Sequence, residues 1–258
     1  MEDKKLLVED YVKNIADESC KNFLHNPFMD NDNSDYKNTM TKIIFILKKT
    51  ENEIKNNIDK NFDLNLISYE EKEVFEYLRH NKVENFFVFN NSVDENKTKI
   101  NNLNDISILF SINDYIAENM KISFNKSKFF INKLNSNIKN LIETSNGILI
   151  YQEDFIQITR ELTGWDFDKC DNFRRELGKK NAEKLNLLKL EFIDSLITNR
   201  FDEITSKEVF ELLCYFADKL INKSFAILNA TLLYQWNYLC IYYSEIIDNL
   251  KATYKIFL

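Results

Sequence analysis

The side chains best suited to chemistry in this sequence are cations. Between Arg174 and Lys184 the chain sets Arg174, Arg175, Lys179, Lys180 and Lys184 against Glu176 and Glu183, a surplus of three positive charges. Phosphate is a natural counterpart for such a run, because guanidinium and ammonium groups hold its oxygens through charge-assisted hydrogen bonds. The same run also fits a solvated helix face whose charges pair one turn away. Asn222, Lys223 and Ser224 form a second group at a helix start, where Ser224 can cap and Lys223 can reach an anion held by free backbone N–H groups. The third group is aromatic. Trp236, Tyr238, Tyr242 and Tyr243 fall in one late helical stretch whose rings can stack on bases or pack into a core or a partner; Trp236 and Tyr242 are the residues assigned to a partner interface.

Other chemistries are excluded by what is missing from the sequence. Cys20, Cys170, Cys214 and Cys240 lie far apart with no CxxC, and His25 and His80 have no cysteine close by, so no metal site is expected. Three glycines, Gly147, Gly164 and Gly178, are too few and too scattered for a phosphate-cradling loop, and no cofactor is expected. Carboxylate pairs such as Glu153 with Asp154 or Asp166 with Asp168 are what a chain with 29% charged residues contains by default, and without a histidine or metal cluster they do not indicate a hydrolase. Against 41 Asp and Glu, the 34 Lys and Arg leave a net charge of −7, so strong duplex-DNA binding by counterion release is disfavoured and nucleic-acid contact must be local. The opening Glu2, Asp3, Lys4 and Lys5 does not read as a signal peptide, and no run of uncharged apolar residues is long enough for a membrane span. The chain therefore reads as cytoplasmic with reduced thiols.

The elements that must position these residues are helices. With 44% hydrophobic residues, 21 Phe and 12 Tyr against 3 Gly and 1 Pro, a turn-rich β architecture is disfavoured. Helical periodicity marks Leu7 to Leu24, Met40 to Ile58, Ile106 to Met120, Phe129 to Ile142 and nearly everything after Tyr151. Asp30 to Asn38 reads as a linker. Ser68 with Glu71 and Thr205 with Glu208 read as capping boxes. Phe86 to Phe89 and Ile148 to Tyr151 read as short strands. Gly164 is expected at positive φ after the Tyr151 helix, and Phe155, Leu162, Trp165, Phe173, Leu177, Phe192, Phe210, Leu213 and Phe216 are expected to supply much of the core.

From Gly147 onward a set of particular residues recurs in a fixed order: Gly147, Tyr151, Gln152 and Glu153; Leu162 and Gly164; Asp171, Arg174, Arg175, Gly178, Lys179 and Lys180; Asn222, Lys223 and Ser224; Tyr234 and Gln235. This string resembles the fingers region of the α subunit of bacterial DNA polymerase III, the C-family replicative polymerase. A fainter resemblance runs back through Asp63, Leu64, Ile67 and Phe86 to Phe89. The resemblance implies a mainly α fold: a helical fingers-like domain over residues 147–258, and a mostly helical N-terminal region over 1–146 that holds a small strand element and, from about residue 61, the junction between palm and fingers. It also implies phosphate or nucleic-acid contacts from Arg174, Arg175, Lys179, Lys180, Asn222, Lys223 and Ser224.

Departures from the family pattern shape the functional expectation. Phe225 stands where the family has histidine, Asp218, Lys219 and Leu220 replace glycines, and the best counterpart of a Lys-x-Asp-Phe-Leu-Gly element, Lys42 to Leu47, places Ile44 at a metal-ligand position. A polymerase needs palm carboxylates that hold two divalent metals, and no Asp-x-Asp stands on an apolar strand. The chain is therefore expected to be a non-catalytic relative of the α subunit. It would act as an accessory on DNA or on a replication or nucleic-acid enzyme, with a protein partner, weak single-stranded DNA binding and no membrane. Two alternatives stay open: an inhibitor or immunity-related factor from a phage or mobile element, and one chain of a split polymerase.

Overall fold

The computed structural model describes residues 34–80, 100–112, 140, 145, 149–179, 182–218 and 220–255. Nine helices make up the regular structure among them: α1 (Ser34–Asn57), α2 (Lys72–His80), α3 (Leu103–Ile112), α4 (Gln152–Thr163), α5 (Phe167–Lys179), α6 (Ala182–Thr198), α7 (Glu203–Phe216), α8 (Lys223–Tyr242) and α9 (Ser244–Tyr254). The fold is mainly α, as the scarcity of chain-breaking residues predicts. The expected helix over 7–24 and the expected strand Phe86 to Phe89 lie outside the described residues, and of the expected helix over 129–142 only residue 140, which is helical, is described. The expected strand Ile148 to Tyr151 is, in its described part, a single parallel bridge between Tyr151 and Ile221. Ile221 donates to the Ile150 carbonyl (2.9 Å) and accepts from the Gln152 N–H (3.0 Å), after which the chain turns into α4 and pairing stops.

Chain contacts divide the molecule into two compact units, residues 1–106 with 228–258, and residues 107–227. In the first, α1 packs on α9. Met40, Ile43, Ile46, Leu47 and Ile54 of α1 are buried at helical spacing, and Phe45 meets the Tyr254 ring edge-on at 4.9 Å. This helix begins at Ser34, inside the stretch expected to be a linker. Once the amphipathic segment from Met40 has formed, extension backward through polar residues needs no new nucleus.

In the second unit, α4 packs against α5 and α6, and α6 against α7. Phe173 is at its centre, stacked on Phe192 (5.2 Å, 4° between planes) and edge-on to Trp165 at 5.4 Å. Phe155, Leu162, Leu177, Phe210, Leu213 and Phe216 are buried around them, and Trp165 packs at the rim, so the expected core residues do assemble. Gly164 ends α4 at φ 71° and donates to the Arg160 carbonyl (2.8 Å). That left-handed conformation strains any residue with a Cβ.

Both expected capping boxes are replaced by other arrangements. In a box, the Ser68 hydroxyl would take the Glu71 N–H. Here the Tyr234 phenol oxygen accepts it (3.0 Å), Ser68 Oγ accepts from Glu70 N–H instead (3.2 Å), and α2 starts only at Lys72. For α7 the cap is Asp202, which accepts from Thr205 N–H (2.9 Å) and from the Thr205 hydroxyl (2.7 Å). Thr205 is thus inside the helix, because a carboxylate three residues earlier already serves its N–H.

Candidate functional site

Two segments that the sequence treats as separate motifs meet in the second unit. Tyr151–Asp154 opens α4, and Leu220–Phe225 leads into α8. The bridge at Tyr151 and Ile221 aligns them, and Gln152 Nε2 donates to the Leu220 carbonyl (3.2 Å). Asn222, not Ser224, caps α8: its Oδ1 accepts from Phe225 N–H (3.0 Å), while Ser224 is exposed as the second helical residue. The helix begins at Lys223, so the residue before it, Asn222, holds the cap position.

The start of α8 holds an anion from this chain. Glu153 Oε2 accepts the Lys223 backbone N–H (2.9 Å) and Oε1 accepts from Asn222 Nδ2 (2.9 Å). A carboxylate there gains from unpaired N–H groups and from the positive end of the helix dipole, as a bound phosphate would. The Lys223 ammonium is 3.6 Å from Asp154 Oδ1 and 5.2 Å from the centre of the Tyr151 ring. Asp154 is buried, and its Oδ2 has no hydrogen-bond partner. Burial pushes its carboxyl up to about 6, with the Lys223 charge opposing. The Tyr151 phenol is wholly buried, shares a 2.9 Å hydrogen bond with Ser107 Oγ and is raised by that burial.

The cationic run on α5 is paired largely within its own helix. Arg174 reaches Asp171 Oδ1 through Nη2 (2.7 Å) and Nε (3.0 Å), and Arg175 Nε reaches Asp171 Oδ2 (2.8 Å). Burial would raise the Asp171 carboxyl, but the hydrogen bonds and charges of the two arginines outweigh it and hold the group below its usual value. Glu176 takes Lys179 (2.7 Å) and Lys184 (3.1 Å). Arg174 is largely covered, whereas Arg175 and Lys179 are 64% and 65% exposed and keep donors directed at solvent. Lys180 lies outside the described residues.

In the first unit, Tyr234 and Gln235 bind the loop before α2. The Tyr234 hydroxyl donates to the Ser68 carbonyl (3.0 Å) while accepting from Glu71, and Gln235 Nε2 reaches the Leu64 carbonyl (3.2 Å) and the Tyr69 hydroxyl (3.0 Å). Trp236, expected at a partner interface, is 3% exposed with Lys251 over its ring at 4.9 Å. Tyr242 is 44% exposed. Sequence reasoning missed the part Glu153 plays, although its place beside Asp154 at a helix start was visible. Among the described residues, no group of three or more His, Cys, Asp or Glu could hold a metal ion, and no helix is long and apolar enough to cross a membrane.

Residues 44–200, more than half of the chain, match the bacterial DNA polymerase III alpha subunit finger domain. The chain is 28% identical over 196 residues to DNA polymerase III subunit alpha of Ureaplasma parvum, covering 73% of this chain and 20% of that protein. It is 23% identical over 214 residues to the same subunit of Staphylococcus epidermidis, covering 79% and 20%, and 32% identical over 108 residues to that of Borreliella burgdorferi, covering 42% and 9%. At most about a fifth of these curated relatives' length is spanned.

Proposed function

The chain belongs to the bacterial DNA polymerase III alpha subunit finger-domain family, and from that membership we propose a non-catalytic binding role on DNA or on a replication enzyme. The observation that carries this reading is the closed start of α8. Glu153 occupies the anion position there, and Lys223 is turned to Asp154, so a nucleotide phosphate would have to displace the chain's own carboxylate from this helix start. Ile44, on α1, has an aliphatic side chain where the resemblance requires a metal ligand, which supports the same conclusion. Residual anion contact falls to Arg175 and Lys179, whose exposed donors can still reach a phosphate. The partners' context is that of the relatives, DNA polymerase III alpha subunits.

Primer extension with magnesium or manganese tests the proposal. No incorporation above background is expected. Incorporation that disappears when an acidic residue is replaced would overturn it. A companion measurement is fluorescence anisotropy with single-stranded DNA. Binding should be weak, fall steeply with added salt and weaken further in Arg175→Ala/Lys179→Ala.

A further inference from the structure

Helix α6 is apolar on two opposite faces, and the fold covers only one of them. Phe192 and Leu196 are buried in the core of the second unit, with Leu185 and Leu188 packed against it. At about 100° per residue, Leu187, Leu190 and Ile197 fall on the other side of the helix, where they are 70%, 63% and 45% exposed. Scattered exposed leucines need no explanation, but these recur at spacings of three and seven, and Asp194 fills the remaining place in the series. Residues 187, 190, 194 and 197 therefore form one seam about 15 Å long, with the spacing by which one helix packs its side chains against another.

Charge decides what can cover the seam. Of the described charges beside it, Glu191 is paired with Lys169 (2.7 Å) and Lys184 with Glu176 (3.1 Å). Asp194 is exposed in the middle of the seam and has no ion pair among the described residues. A wholly apolar cover would bury that carboxylate unpaired, at a large cost. A second copy of the chain fares no better. Parallel pairing about a two-fold axis sets Asp194 against Asp194, antiparallel pairing about the middle of the seam sets it against Leu190, and the net charge of −7 makes copies repel. A cation opposite Asp194, flanked by apolar side chains, meets both demands, because the ion pair forms as the leucines are covered.

We propose that the outer face of α6 is a docking site for a short amphipathic helix of a partner protein, one whose apolar seam carries a lysine or arginine opposite Asp194. The seam is one helix wide and about three turns long, so the contact is small and the binding weak and reversible. Asp194 fixes the register of the incoming helix, as a single polar residue does in an apolar helix pair. The inference deepens the binding-protein reading and rests on it.

The test uses the full chain and two fluorescein-labelled helical peptides, read by anisotropy. Both carry leucines at alternating spacings of three and four; one has a lysine at the centre of that seam and the other a glutamine. The native chain should prefer the lysine peptide several-fold. Leu187→Gln/Leu190→Gln, at exposed positions where glutamine keeps the helix propensity, should weaken both peptides about tenfold without lowering the Tm. Asp194→Asn should leave the glutamine peptide unaffected and abolish the preference for lysine. Ile58→Gln/Leu66→Gln, which removes two exposed apolar side chains of the first unit, should change neither peptide. No binding by the native chain, equal weakening by the Ile58 and Leu66 pair, or a lysine preference that survives Asp194→Asn would each overturn the proposal. So would a native chain that sediments as a dimer and becomes a monomer in Leu187→Gln/Leu190→Gln. The binding-protein reading fails separately, through primer extension, whatever the peptides do.

Discussion

Asp154 touches Lys223 with one carboxylate oxygen and buries the other with no hydrogen-bond partner. A buried carboxylate in that position costs stability whenever it is ionised. Its folded value of about 6 lies above the ordinary 3.8, so between the two the folded state holds more protons than the unfolded state. Stability therefore falls as pH rises through this window, by about 3 kcal/mol if the whole shift is realised. Asp171, held low by Arg174 and Arg175, acts in the opposite sense and loses its contribution as pH falls. Comparing the native chain with Asp154→Asn isolates the one group. The variant should gain on the native protein between about pH 4 and pH 7 and be at least as stable at neutral pH, because the partly exposed Lys223 can turn to water. Parallel urea-melt stabilities across that range would refute the assignment. At the same scale, Glu153→Gln keeps the size but removes the charge at the start of α8, and should cost about 1 to 2 kcal/mol in the same melts.

Helices in this chain begin where a competing hydrogen bond is won rather than where a pattern of residue types suggests. Asp202 takes Thr205 through both N–H and hydroxyl, so α7 starts three residues before the position that a Thr205 cap would set. Asp202→Ala should lower the Tm by a few degrees, whereas Asp202→Asn, which retains an acceptor, should recover most of the loss. If both variants melt with the native chain, the cap is not a determinant of α7. The start of α2 follows the same rule, except that the competing acceptor, Tyr234, is a helix distant in sequence.

Across the whole molecule, the Tyr-Gln pair at 234 and 235 acts on a loop more than 160 residues earlier. The Tyr234 phenol is both donor and acceptor there, and Tyr234→Phe removes both bonds with almost no change in volume. The loss should be about 1 to 3 kcal/mol, since the carbonyl of Ser68 and the N–H of Glu71 would be left partly buried without this partner. Hydrogen exchange should show protection falling over residues 64–78 while the Phe173 core keeps its own. Uniform loss in both regions would argue that the phenol does more than fix the loop.

Helical class and core membership were legible in the sequence, because both follow from local repeats. Met40, Ile43, Leu47 and Ile54 on α1, and Phe173 and Leu177 on α5, recur at helical spacing and are buried. Gly164 was legible for a similarly local reason, since a helix stop at positive φ selects glycine. The site was legible only as a collection of residues. Glu153 and Asn222 are 69 positions apart, and Tyr234 and Glu71 are 163 apart. Whether Lys223 meets a phosphate or Asp154, whether Ser68 caps or yields to a phenol, and whether Trp236 faces a partner or the interior all depend on which helices pack together. Hydrogen-bonding groups take the best partner within reach, and only the tertiary structure determines what is within reach.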